Sequence, residues 1–143
     1  MTPEQRALRD RFAAVPESVA RAARSANLRP SAPGEWSSSD IVRHLIAVDQ
    51  EVWEPRLRQV ATEDNPAWPW VEPDRWTGAP GASLDELLDE FARRRSSMVV
   101  GLDELDERGW ARAGTHATYG RLDVGGLIER AADHDDEHLA SLA

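Results

Sequence analysis

The 143-residue sequence contains neither cysteine nor lysine, and all seventeen of its basic side chains are arginines. Without cysteine there is no disulfide, no thiolate ligand and no thiol nucleophile. Without lysine there is no Schiff-base amine and no phosphate-loop lysine. Chemistry in this chain therefore falls to histidine, carboxylates, hydroxyls, arginine or a bound metal. Long hydrophobic runs are missing as well, which excludes a membrane-spanning helix. The opening stretch MTPEQRALRD lacks the basic-then-apolar layout of a secretory signal, so a cytoplasmic protein with no membrane partner is expected.

Positive charge is also scarce. The formal net charge is −9, which disfavours neutralisation of a phosphate backbone, and no nucleic-acid partner is expected. The densest basic run, Arg93 to Arg95, is flanked by acids and reads as a solvated helix face. Hydrophobic residues make up 41% and charged residues 30% of the chain, ordinary values for a globular protein of one domain, here 1–143.

What is present is helical periodicity. Thr2, Pro3 and Gln5 form an N-terminal capping signature, followed by an apolar stripe through Leu8, Phe12, Val15, Val19, Ala22 and Ala26. Pro16 should bend or break that helix, since it removes a donor and crowds the preceding turn. LRPSAPGEW is a turn-rich link. A second helix starts at the serines after Trp36, buries Ile41, Leu45, Val48 and Val52, and ends near Val60, with Pro55 as a kink or break. Ser83 and Glu86 cap a third, whose stripe runs from Leu84 to Leu105. A fourth begins after Asp123 and carries Val124, Leu127, Ile128 and Ala131. No strand pattern is evident. The expected fold is all-α, a four-helix bundle. A long proline- and tryptophan-rich crossover, residues 61–82, joins helices two and three. Trp68, Trp70 and Trp76 suggest that this loop is ordered, either as a simple crossover anchor or as a cover over a binding site.

Histidines interrupt the buried stripes. On the last helix Leu127, Ala131, His134 and His138 follow one another at increments of four, three and four. On the second, His44 lies between Ile41 and Val48. A single inward histidine is usually a hydrogen-bonded core residue. Three of them impose a desolvation cost that one shared divalent cation would relieve, and an i, i+4 pair can present two imidazoles to one ion.

Trp36, the His44–Leu45 pair and the terminal His134/His138 pair, with EDNPAW, GTHATYG and DHDDEHL in order, resemble the DinB-like superfamily. This group of metal-binding four-helix bundles includes bacillithiol- and mycothiol-dependent S-transferases. The resemblance covers nearly the whole chain. It implies a three-histidine metal site at His44, His134 and His138, holding zinc or nickel, or else iron or manganese; neutral imidazoles suit several of these ions. It also implies a low-molecular-weight thiol as co-substrate and an electrophilic small molecule as its target. A metal-dependent hydrolase and a non-catalytic, stress-induced metal binder are the alternatives, and a homodimer stays open.

HDDEH also fits the H-x-x-E-H peptidase pattern, with Glu137 as base. That pattern requires a further downstream carboxylate, and no acid follows His138, so Glu137 reads as a solvated helix residue. His116, between Gly114 and Gly120, reads as a polar loop residue that could approach the metal or substrate. Asp49, Glu51 and Arg56 read as surface salt-bridge formers on helix two, with a supporting role near the site as the alternative.

Overall fold

The computed structural model describes residues 1–29 and 31–143; Pro30, within the expected link, lies outside the described residues. Helix α1 (Pro3–Ala26) starts at the capping box of Thr2 and Gln5. It runs through Pro16 without the expected break. Proline leaves the carbonyl four residues back without its helical donor, here that of Phe12. Arg95 supplies the replacement, donating from Nη1 to Phe12 O at 2.9 Å.

Ser37 and Asp40 cap α2 (Ser38–Val48). The chain then widens into a π turn (Asp49–Trp53) and continues as α3 (Glu54–Thr62). The π turn absorbs Pro55: Glu54 N–H reaches back to Asp49 O, so the ladder is re-spaced just where proline would clash. Helix two thus continues through Pro55 rather than ending there. After α4 (Leu84–Asp103) comes a short helix α5 (Glu107–Ala111), and the last helix α6 spans Val124–Ser141. Helix α1 packs against α4 and α6, and α2 packs against α4. This is the expected four-helix architecture, with the second helix built from α2, the π turn and α3.

The absence of strands is corrected. A small sheet of β1 (Ala67–Trp68), β2 (Ala113–His116) and β3 (Gly120–Asp123) is ordered β1-β2-β3. β1 runs parallel to β2, pairing Trp68 with His116, and β2 runs antiparallel to β3, pairing His116 with Gly120. Segments of two to four residues are too short for an alternating pattern to stand out. The sheet depends on Gly114: a Cβ there would come within 2.4 Å of the Trp68 ring. Trp68 is 3% exposed and donates from Nε1 to Gln59.

Two apolar clusters fill the bundle, one around Phe12, Trp53, Trp110 and Leu127, the other around Val19, Ile46, Leu87 and Phe91. Between them along α4 lies Arg95, 1% exposed. Its guanidinium bonds both oxygens of Asp49 on the π turn and both of Asp135 on α6. This overturns two sequence expectations. Arg93 is solvated and Arg94 pairs with Glu90, but Arg95 is the charged centre of the core. Asp49 is likewise buried, at 1% exposure, rather than a surface ion-pair former. Burial pushes both carboxyls up, Asp135 to about 6, against the pull of Arg95. Among the described residues, no helix is long and apolar enough to cross a membrane.

Candidate metal centre

His44 comes from α2, and His134 and His138 from adjacent turns of one face of α6. The fold brings the three rings together across some ninety residues of chain. One nitrogen from each lies within 4.8 Å of the others. Ring centroids are 5.5 Å apart for His44–His134, 4.5 Å for His44–His138 and 4.6 Å for His134–His138. His44 is buried and the other two are half-buried.

The chemistry of the donors suits a cation. His44 Nδ1 lies 3.1 Å from the carbonyl oxygen of Asp74. A carbonyl only accepts, so Nδ1 carries a proton and Nε2 is the nitrogen left for a metal. The tryptophan-rich loop therefore orients this ring, through Asp74. The loop is itself fastened to α2, because Arg43 donates to the carbonyls of Trp76, Gly78 and Ala79. Trp36 packs against His44 at 5.4 Å between centroids. His134 Nδ1 is buried with no hydrogen-bond partner, an orphaned polar atom that a cation would satisfy.

The two rings on α6 are also held neutral. Burial, then the neighbouring His138, His44 and Arg95, lowers His134 to about 4; burial and His44 lower His138. An imidazole in an unfolded chain titrates near 6.5. Folding depresses His134, so in metal-free protein its contribution to stability is fully present above about 6.5. It is lost as pH falls from there towards 4. The expected loss between pH 7 and 4.5 is about 2–3 kcal/mol, read as a drop in urea midpoint that His134→Ala does not share. Equal drops in the two proteins would contradict this assignment. Because His134 and His138 are both shifted down, proton competition for a metal at these rings also begins below the ordinary imidazole value.

The cluster opens onto a cleft of about 790 Å³, within the range of small-molecule sites. Two residues given other roles by the sequence line it. His116 ends β2 and is 4% exposed; it is not a surface loop residue. Its Nδ1 accepts from the backbone N–H of Thr118 at 2.9 Å and Tyr119 at 3.2 Å. Arg56, expected at the surface, is 5% exposed. Glu51 is exposed as expected, and Glu137 is exposed at the cleft rim. Of the loop tryptophans, Trp70 lines the cleft, whereas Trp68 and Trp76 anchor the loop. Arg130 and Tyr119, also in the cleft wall, were not singled out from the sequence. Arg130 was legible there, one turn before His134 on the same face.

Bacillus subtilis YfiT, described as "a probable metal-dependent hydrolase with an unusual four-helix bundle topology", superimposes with a TM-score of 0.75. The alignment covers 99% of this chain and 86% of that one at 17% identity, a likeness of fold. A protein of Oceanobacillus iheyensis named "Putative metal-dependent hydrolase OB0413" is 22% identical over 111 residues, 76% of this chain. The match spans 64% of that relative's length. The profile of the DinB superfamily matches residues 3–142. The chain belongs to the DinB superfamily.

Proposed function

We propose that His44, His134 and His138 hold a divalent metal ion, and that the protein uses it to join an external low-molecular-weight thiol to an electrophilic small molecule. The observation that carries this reading is the cluster of three imidazoles opening onto a cleft. Three protein ligands leave a coordination position free, the arrangement of catalytic rather than structural sites. A divalent ion bound there supplies Lewis acidity, which makes a thiol or water at the open position more acidic.

The chain's own residues do the rest. His44, oriented by Asp74 O, and the α6 pair would hold the ion in the cleft. Trp36 and Trp70 line the same cleft. Among the described residues, no carboxylate joins the histidine cluster. A thiol needs none, since it ionises near neutral pH once acidified, whereas attack by water calls for a base. The second reading, a metal-dependent hydrolase, is favoured by Glu137, whose carboxylate reaches the same cleft, and by the names of the relatives.

One assay separates them. Protein loaded with zinc or nickel is expected to accelerate loss of monochlorobimane only when bacillithiol or mycothiol is supplied. Glu137→Gln should leave that rate within about twofold, but should lower water-dependent ester turnover by 10²-fold or more, in the range of a lost general base. Absence of metal-dependent acceleration with either thiol and several electrophiles overturns the transferase reading. Elemental analysis of protein purified without added metal identifies the ion.

A further inference from the structure

The cleft holds more positive charge than its surroundings explain. In a chain of net charge −9, Arg56 is 95% buried by its 5% exposure, yet no carboxylate among the described residues pairs with it. One of its five N–H donors is used, from Nη2 to Pro69 O at 2.7 Å. The remaining contacts are the ring faces of Trp53 at 5.7 Å and Trp68 at 5.9 Å. Burying an unpaired guanidinium is costly unless an anion completes it. Every other buried charge in the described structure has its counter-ion: Asp49, Arg95 and Asp135 satisfy one another.

Two further donors converge on the same place. His116 accepts two backbone N–H groups at Nδ1, so its proton resides on Nε2, which has no acceptor among the described residues. Arg130 lies over the Tyr119 ring at 4.0 Å and also lacks a carboxylate partner among the described residues. The positive fields of Arg56 and Arg130 both act on His116, lowering it further after burial. All three line the cleft that contains the histidine cluster.

We propose that Arg56, His116 and Arg130 form an oxyanion-binding subsite, so that a substrate of this cleft carries a carboxylate or phosphate group. The inference rests on the cleft being the substrate site of the proposed reaction. The planar guanidinium matches two oxygens of either anion. Trp70 and Tyr119, whose rings flank His116 at 6.3 Å and 4.8 Å between centroids, offer aromatic walls to the body of the ligand. The anion is held at one end of the cleft and the reacting group at the histidine end. The acids at the rim, Glu72 and Glu137 among them, oppose a second anionic group there.

The test is binding rather than turnover. Tryptophan fluorescence is titrated with benzoate, phenyl phosphate and neutral benzamide, on metal-loaded protein and on His44→Ala. At least one of the anions is expected to bind ten times or more tighter than benzamide, and benzoate against phenyl phosphate tells which anion the subsite prefers. Arg56→Met should remove that preference, and Arg130→Gln should weaken it several-fold, with benzamide affinity changed less than twofold. The preference should persist in His44→Ala, which separates this subsite from the metal: failure of metal binding or of thiol transfer leaves this outcome intact. Equal affinity for charged and neutral probes overturns the proposal, as does a preference lost with His44→Ala and kept with Arg56→Met. Should Arg56→Met not fold by circular dichroism, the exposed Arg130→Gln decides: an unchanged anion preference there counts against the subsite.

Discussion

Arg95→Ala is expected to destabilise the protein by about 3–5 kcal/mol, the range for removing one partner of a buried ion pair. With typical domain stabilities of about 5–15 kcal/mol, that is a large share of the total. The loss has three parts. Asp49 and Asp135 would each lose two hydrogen bonds, of 2.9 to 3.3 Å, leaving two carboxylates in the core with no cation. Phe12 O would lose the donor that stands in for the N–H missing at Pro16. The Phe12 and Phe91 rings, 4.0 Å and 5.0 Å from the guanidinium carbon, would border a cavity. Urea unfolding followed by circular dichroism measures the change. Arg93→Ala, two residues away on the solvated face, should stay within about 0.5 kcal/mol of wild type. Similar losses for the two variants would mean that the buried triad contributes nothing special.

His134→Ala is expected to lower metal affinity by roughly 10²–10³-fold. Structural zinc sites bind with about 10–16 kcal/mol, and an even share among four ligands gives that factor for losing one. The bundle should remain folded, because the substitution removes a half-buried ring with an unpaired nitrogen rather than a large apolar group. Two measurements on the same protein check this: metal competition against a chromophoric chelator, and the pH dependence of urea stability. Affinity should collapse while the His134 share of the acid-sensitive stability disappears, since both arise from the same imidazole. Retained affinity would remove His134 from the ligand set. A variant that fails to fold would show that the ring is needed for packing instead.

The helices and the histidine pairing were legible in the chain because both depend on local spacing. Capping boxes at Thr2 and Ser83, the apolar stripes, and the i, i+4 step from His134 to His138 all lie within one or two helical turns. The tryptophan-rich loop was recognisable as an ordered element from its composition alone, though not that Asp74 in it would orient His44. The DinB resemblance also rested on motif order, which needs no coordinates. These features were determined by the sequence itself.

Tertiary structure decided which charges enter the core. Of the contiguous Arg93, Arg94 and Arg95, only Arg95 continues the buried stripe, four residues after Phe91 and three before Met98, but a stripe position does not supply the counter-ions that a buried guanidinium requires. Only the meeting of α1, the π turn and α6 supplies Arg95 with Phe12 O, Asp49 and Asp135. Arg56 shows the same limit in another form. On a regular helix it would lie about 120° around from His44, but the extra residue of the π turn reduces this to about 20°. That turn places Arg56 in the histidine cleft, and nothing but the packed helix around Pro55 reveals it. His116 needed β1 and β2 to pair across some fifty residues before its ring could be buried. Local patterns determine what a short segment prefers, whereas burial of a charge depends on partners brought from distant parts of the chain.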